Sequence, residues 1–239
     1  MQAVCGIMVF VEKIRKEISC PLNIVQRFSH CPDADVIACT KLIVFYLLAT
    51  EDAPWRVDAG PHSKKEDLTQ STTLPRDYEF DMLVKKPLYP FNVCDAALGE
   101  RGSRYGIAHM VGGAMVGGGS ATQHSIATNS MTAESFAATS CVASGTLARD
   151  LVHVMGFPQM LPAPYFVDNT ATVDVGMGDA AMKRSQFIRK RIYMFIQAVF
   201  EGIACVFPVA GKINPTDPMT KIVTRQEWMR MRKFIMNWR

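Results

Sequence analysis

The residues best suited to chemistry are four acids that lie far apart in the chain: Asp95, Glu134, Asp168 and Asp217. Asp95 and Asp168 each end a short apolar run, as a residue at the end of a buried strand does. Glu134 lies in a run of small residues with helical character, and Asp217 follows a turn. Carboxylates at strand ends and on one face of a helix can converge on divalent cations, which prefer hard oxygen ligands and keep open positions for water and phosphate. The four acids therefore predict a metal site.

The elements that must position these acids are predicted from the hydrophobic period, which changes along the chain. Near the N-terminus the spacing predicts three helices, at residues 4–17, 23–29 and 36–50. Beyond residue 88 it predicts short strands at 88–98, 105–111, 114–119, 123–128, 165–167 and 203–208. It also predicts helices at 132–154, where Gly145 can introduce a break, directly after Asn169, and at 185–200. A meander followed by alternating strands and helices predicts an α/β fold with a mixed sheet and helices on both faces.

Four segments are predicted from these patterns. Residues 1–55 form a small helical segment, and residues 56–87 are polar and proline-containing, which favours a linker or an irregular loop. Residues 88–223 form the α/β domain. Residues 224–239 form a basic amphipathic helix, in which Thr224 and Glu227 match a capping box. This helix is interpreted first as docking on the protein's own core and second as a nucleic-acid or membrane surface.

The net charge of +4 is unevenly distributed along the chain. Residues 183–239 contain twelve Lys and Arg against three acids, a net charge of +9, so the preceding 182 residues carry −5. A basic C-terminal third beside an acidic cluster suits a surface that handles phosphodiesters, since basic groups hold the backbone while metals screen the carboxylates. A solvated basic face is the alternative.

Cysteine and hydropathy patterns exclude several classes of protein. The seven cysteines include no C-x-x-C pair, so they indicate neither a zinc site nor a disulfide framework, and they are expected to be reduced in an intracellular protein. The sequence does not distinguish nucleus, cytoplasm and mitochondrion. Lys41 and Glu201 interrupt the longest apolar runs, which fall short of the about 18 uncharged residues that span a bilayer. No membrane partner is expected.

Several short motifs occur in the order and spacing of one known family. Asp95 closes Val93-Cys94-Asp95, and a Ser, Gly and Gly-Gly-Ala pattern follows at residues 103, 106 and 112–114. Residues 123–127 lead to Ala133-Glu134, residues 167–169 read Val-Asp-Asn, and residues 216–221 read Thr-Asp-Pro-Met-Thr-Lys. The set resembles the ribonuclease H domain of Copia-type LTR retrotransposon polyproteins. Residues 1–55 are similar to the end of the reverse transcriptase that precedes that domain, and the chain resembles a retrotransposon segment that the host has domesticated.

The resemblance implies a ribonuclease H-like fold with a mixed five-stranded sheet, and it implies a chemistry. Asp95, Glu134, Asp168 and Asp217 would be both catalytic and metal-binding, holding two magnesium ions, or manganese as an alternative, about 4 Å apart. The reaction would be hydrolysis of the RNA strand of an RNA·DNA hybrid. The nucleic-acid partner would be such a hybrid or a structured RNA. Asn169 would orient the RNA backbone or cap a turn. Phosphates would be held by Lys183, Arg184 and Lys212.

Departures from the family pattern favour a second hypothesis. The Tyr-x-Asp-Asp turn of the polymerase palm is absent, and residues 186–189 read Gln-Phe-Ile-Arg where the family has Lys-His-x-Asp. Apolar residues cover more than one face of the predicted helix at 187–200, which suggests that a protein partner buries the second face. The C-terminal helix at 224–239 is the other surface that such a partner would bury. The chain is then a catalytically idle structural or RNA-binding subunit of a larger ribonucleoprotein, such as an organellar ribosome. A fragment of a transposon is the third interpretation.

Overall fold

The computed structural model describes residues 1–52, 88–99, 102–178 and 186–237. The predicted linker at 56–87 and two predicted phosphate-binding residues, Lys183 and Arg184, lie outside the described residues. So do the last two residues of the predicted C-terminal helix, 238 and 239.

The chain begins with three helices that form a small cluster of their own. They are α1 (Gln2–Glu12), α2 (Ser19–Arg27) and α3 (Ala34–Ala49), and a 3-10 turn at Lys16–Ile18 joins the first two. The Asp33 side chain accepts a hydrogen bond from the backbone N–H of Val36 at 2.8 Å and so begins α3 as an N-cap. Cys5, Met8 and Leu22 are among the residues that these helices bury against one another. The predicted helical segment is confirmed.

Five strands form one mixed sheet in the order β3-β2-β1-β4-β5. They are β1 (Phe91–Ala97), β2 (Arg104–Val111), β3 (Ala114–Thr122), β4 (Ala163–Val167) and β5 (Ala204–Pro208). β1 pairs antiparallel with β2 and β2 with β3, whereas β1 pairs parallel with β4 and β4 with β5. Gly112 and Gly113 connect β2 to β3 with φ values of 57° and 78°, which the tight hairpin turn requires.

The helices beyond the first three strands are α4 (Ser130–Val154), α5 (Thr170–Gly176), α6 (Gln186–Phe200), α7 (Asp217–Thr220) and α8 (Arg225–Met236). A 3-10 turn at Gly211–Ile213 precedes α7. The capping box of Thr224 and Glu227 begins α8 as predicted.

Two element predictions were wrong. Residues 123–128 are not a strand. The strand pairing ends where Thr122 faces Arg104 of β2, and after one further backbone hydrogen bond, from Gln123 N–H to the Ser103 carbonyl at 2.8 Å, the chain turns towards α4. α4 continues through Gly145 without a break. This glycine serves close packing instead, since a Cβ there would lie 2.6 Å from the Tyr165 hydroxyl and 2.7 Å from Asn92 Oδ1.

Each face of the sheet has its own core, because alternate side chains of β1 point in opposite directions. On one face Phe91 packs in a cluster with Met231 of α8. On the other, Cys94 packs in a cluster with Cys141 of α4 and Phe195 of α6. The predicted α/β fold with a mixed five-stranded sheet, helices on both faces and a preceding helical segment is therefore confirmed.

The C-terminal helix docks on this chain, as the first interpretation expected. Met231 and Ile235 of α8 are 2% and 1% exposed. Trp228 lies edge-on to Tyr46 of α3, with 6.1 Å between ring centroids, so α8 also contacts the helical segment. The apolar stripe of α8 is thus covered by the protein itself.

Ser120 on the edge strand β3 joins two other parts of the molecule. Its backbone N–H donates to Ser19 Oγ of α2 at 2.7 Å, and its own hydroxyl donates to the carbonyl of Met219 in α7 at 2.6 Å. The helical segment is therefore hydrogen-bonded, through β3, to the short helix that begins with Asp217.

None of the helices within the described residues has the length and apolarity to cross a bilayer.

Candidate metal centre

The sheet topology places two of the four acids side by side. β1 and β4 are parallel neighbours, and Cys94 pairs with Val167. The next residue in each strand direction is an aspartate, Asp95 in β1 and Asp168 just after β4, so both carboxylates lie at the same edge of the sheet. Asp95 is 3% exposed, whereas Asp168 is only partly buried.

Glu134 reaches the same edge from α4. It lies early in that helix, is 3% exposed, and its Oε1 accepts a hydrogen bond from the backbone N–H of Ala96 at 3.2 Å. One oxygen each from Asp95, Glu134 and Asp168 lie within 4.8 Å of one another. The three acids can therefore hold a metal ion, since such ions bind two or more carboxylate oxygens at about 2.0–2.6 Å each.

Asp217 lies beside this cluster and is not part of it. It is the first residue of α7, and its Oδ1 forms an ion pair with Lys221 Nζ one turn later. Its charge is close enough to contribute to raising the pKa of both Asp95 and Asp168. The Lys221 side chain is 56% exposed, so solvent is open to it as an alternative partner. The structure brings three of the four predicted acids together, and the fourth, Asp217, lies next to them without joining the group.

Burial and mutual repulsion make the cluster reluctant to ionise. Burial, together with the charges of Asp95 and Asp168, raises the pKa of Glu134 to about 9. Burial also raises the pKa of Asp95 to about 6, although a hydrogen bond from Thr220 opposes the shift. The pKa of Asp168 is raised by burial first and by Asp217 second. Three carboxyl groups in so small a volume need protons or a cation to balance their charge.

An unsatisfied oxygen marks where a cation fits. Glu134 Oε2 is buried and accepts no hydrogen bond from the residues that the structure describes. A buried carboxylate oxygen without a donor costs free energy unless a positive charge faces it. The donor set contains oxygen alone, which suits a hard divalent cation.

Two polar residues that sequence reasoning missed hold the site in shape. Thr220 Oγ1 donates to Asp95 Oδ2 at 2.5 Å, and buried Asn214 donates to the Cys94 carbonyl at 3.3 Å. Asn214 Oδ1 also accepts from Thr216 Oγ1 at 2.7 Å, which fixes the turn before Asp217. The partners of Thr220 and Asn214 lie 125 and 120 residues away in the chain, so no local pattern could have identified them.

Two glycines allow the backbone to come this close. Gly106 pairs with Asp95 across β1 and β2, and a Cβ there would lie 2.5 Å from Met219 Cβ and 2.9 Å from the Thr216 carbonyl. A Cβ at Gly211 would lie 2.9 Å from Asp168 Oδ2. The sequence motif includes Gly106, but the sequence gives no sign of what it approaches.

The predicted nucleic-acid-binding residues have mixed outcomes. Asn169 caps α5, because its side chain accepts from the backbone N–H of Thr172 at 3.3 Å. Lys212 is exposed in the 3-10 turn, next to the glycine that approaches Asp168. Contact of either residue with RNA stays a prediction.

No protein-family model matches the chain, and a search of curated proteins finds no match. Functional inference therefore depends on the site and the fold.

Proposed function

We propose that this protein is a metal-dependent nuclease of the ribonuclease H type, which hydrolyses the RNA strand of RNA·DNA hybrids. The observation that carries the proposal is the convergence of Asp95, Glu134 and Asp168 to within 4.8 Å at one sheet edge. The sheet, with two antiparallel and two parallel pairings around β1, gives these acids the setting that the sequence resemblance implies.

Magnesium is the proposed cofactor, in two ions, with manganese as a substitute. Asp95, Glu134 and Asp168 would hold it, and Asp217 would complete the set once its ion pair with Lys221 is exchanged for the cation. The bound metal would supply an activated water and stabilise the leaving 3′ oxygen. Thr220 and Asn214 keep Asp95 and the turn before Asp217 in position for this exchange.

Binding of the substrate would use the basic side chains near this edge. Lys212 is exposed beside the approach to Asp168 and carries the charge that a phosphate requires. Residues 183–239 have a net charge of +9, which attracts a polyanion over a longer range. Discrimination of RNA from DNA would depend on the 2′-hydroxyls of the hybrid.

The test is cleavage of a fluorescent RNA·DNA hybrid by the full chain with magnesium. Asp168→Asn is expected to lower the cleavage rate at least about a hundredfold. The change replaces a negatively charged metal ligand by a neutral one, so the metal that stabilises the transition state is held less well. Asp174→Asn, an exposed acid on α5, is the matched control and is expected to retain the rate. Equal cleavage by the wild type and Asp168→Asn, or cleavage that persists in a chelator, would contradict the proposal.

A second candidate function is a non-catalytic subunit of a ribonucleoprotein. The observation that favours it is the outer face of α6, where Tyr193, Met194 and Phe200 are 58%, 44% and 90% exposed. Large apolar side chains on one exposed face are typical of a surface that a partner covers. Hybrid that is bound, left intact, and bound equally by Asp168→Asn would favour this function over the first.

A further inference from the structure

A second cavity lies away from the acidic cluster, between the β2–β3 hairpin and the last turns of α4. Its volume is about 540 Å³, within the range of about 300–1,000 Å³ that is usual for small-molecule sites. Most of its wall is apolar and is formed by Val111, Val116, Leu147, Leu151, Met155 and Phe157. None of its lining residues in the described part of the chain is charged. The cavity therefore suits a neutral, apolar molecule.

The polar part of the wall belongs to a chain of three hydrogen-bonded side chains, Asn92, His109 and Ser144, which no sequence pattern connects. His109 Nδ1 lies 2.6 Å from Asn92 Oδ1, and His109 Nε2 lies 2.7 Å from Ser144 Oγ. His109 and Ser144 both line the cavity, while Asn92 is fully buried behind them. Gly117 leaves room over the imidazole, since a Cβ there would lie 3.3 Å from His109 Cδ2.

The direction of these hydrogen bonds follows from the chemistry of the groups. An amide oxygen can only accept, so Nδ1 of His109 carries the proton and donates to Asn92. Nε2 of the neutral ring is then an acceptor, and the Ser144 hydroxyl donates to it. The Ser140 carbonyl also lies 2.9 Å from Ser144 Oγ. If the hydroxyl donated to the Ser140 carbonyl instead, the buried Nε2 would accept no hydrogen bond. That would cost more free energy than leaving the carbonyl with its helical backbone hydrogen bond alone.

The ring stays neutral in this setting. Burial lowers the pKa of His109 to about 4, and Asn92 offers no negative charge to stabilise an imidazolium. A nucleophilic serine needs a base that can take its proton, so the arrangement does not activate Ser144 as a nucleophile. With its proton directed to His109, Ser144 Oγ presents lone pairs that can accept a hydrogen bond.

We propose that this cavity binds a neutral, mostly apolar small molecule whose single polar group donates a hydrogen bond to Ser144 Oγ, as the hydroxyl of a long-chain alcohol does. The apolar wall buries the hydrocarbon part, and the Asn92–His109–Ser144 chain fixes the polar end. This site is independent of the proposed nuclease activity.

The test uses the full chain, with Nile red as a fluorescent reporter of the cavity and two isomers as competitors. n-Decanol has a donor hydroxyl, whereas methyl n-nonyl ether has the same formula and can only accept. The alcohol is expected to displace the dye at a concentration about three- to tenfold lower, the worth of one hydrogen bond. Ser144→Ala is expected to remove this difference while both compounds still bind.

Cavity filling supplies the second arm. Leu147→Trp places a larger side chain at a lining position that is already 62% exposed, so the fold tolerates it, and it is expected to weaken the binding of both compounds. Val154→Trp on the same helix, 82% exposed and outside the cavity lining, is the control and is expected to leave binding unchanged. Equal affinity of alcohol and ether for the wild type, no binding of either, or covalent labelling of Ser144 by a fluorophosphonate would overturn the proposal.

Discussion

Strand β1 carries two polar side chains three residues apart, and each is at the centre of a different kind of cluster. Around Asn92 the groups are neutral, and both ring nitrogens of His109 have partners at 2.6 and 2.7 Å. Around Asp95 the groups are acidic, their pKa values are raised, and Glu134 Oε2 accepts no hydrogen bond. The neutral cluster satisfies itself and stabilises the core, whereas the acidic cluster costs stability until a cation binds. A cluster that lowers the stability of the protein without a ligand is suited to binding one, here a cation.

The largest expected effect is the pH dependence of stability that Glu134 confers on the acidic cluster. Folded protein keeps the Glu134 proton up to about pH 9, whereas the unfolded chain releases it near the ordinary value of 4.5. Between these values the folded state binds more protons, so the free energy of unfolding of metal-free protein falls as pH rises through this window. The loss is on the order of a few kcal/mol. Chemical denaturation across the window measures it.

Magnesium and one substitution sharpen that measurement. Because a bound cation replaces the proton, added Mg²⁺ is expected to restore stability at the alkaline end and little at the acid end. Glu134→Gln cannot ionise, so its profile without metal is expected to be flatter than that of the wild type. A wild-type profile that rises or stays level between about pH 7 and pH 9, above the range in which His109 titrates in either state, would contradict the assigned electrostatics.

The next effect is steric and concerns the close backbone approach at Gly106, beside the acidic cluster. Gly106→Ala is expected to lower the free energy of unfolding by about 1–3 kcal/mol, because its Cβ meets Met219 and the Thr216 backbone. It is also expected to weaken magnesium binding, since α7 moves and Thr220 with it. Denaturation and metal titration measure the two effects.

A glycine in an open position gives the control. Gly6→Ala in α1 has nothing within 4 Å of the new Cβ, so it is expected to raise stability by up to about 1 kcal/mol through helix propensity. Equal responses of the two alanine variants would show that α7 does not need the close approach.

The smallest effect comes from giving the neutral cluster a charge. Asn92→Asp is expected to raise the pKa of His109 from about 4, because a carboxylate stabilises the imidazolium. It is also expected to lower the free energy of unfolding at neutral pH by about 1–2 kcal/mol, because a charge is buried. An NMR titration of the imidazole and chemical denaturation test both. Asn129→Asp, at the exposed N-cap of α4, is the control, since both residues cap equally well. A His109 pKa that stays near 4 would refute the assigned contact.

The sequence predicted the parts of the molecule that local patterns specify. The strand that carries Asp95 and the strand that precedes Asp168 were found because each is a short apolar run. Helix α8 was found because its capping box lies within four residues. The strand predicted at 123–128 was wrong, and the end of β3 is set by where its pairing with β2 stops, at Thr122 and Arg104. Asp217 and Lys221 are four residues apart, the spacing of an ion pair along a helix, so their pair could have been predicted from the sequence. It was not predicted, because Asp217 was interpreted as a metal ligand.

The contacts that the sequence could not predict join distant segments. Thr220 to Asp95 and His109 to Ser144 depend on the order of strands and on the depth at which helices pack, and neither leaves a periodic signal. Close approaches at glycines are equally hard to predict. A glycine in the sequence can indicate that space is needed, but it does not identify which distant residue packs there.

The two hydrogen bonds of Ser120 restrict which residues can replace Ser19, both in evolution and in protein engineering. Since Ser19 in the helical segment and the carbonyl of Met219 are joined through one residue, a change at position 19 is transmitted to the backbone that carries Asp217. Homologous segments can then be exchanged between relatives only if a small hydroxyl residue is kept at that position. Selection on the acids would in this way also preserve Ser19 in the helical segment.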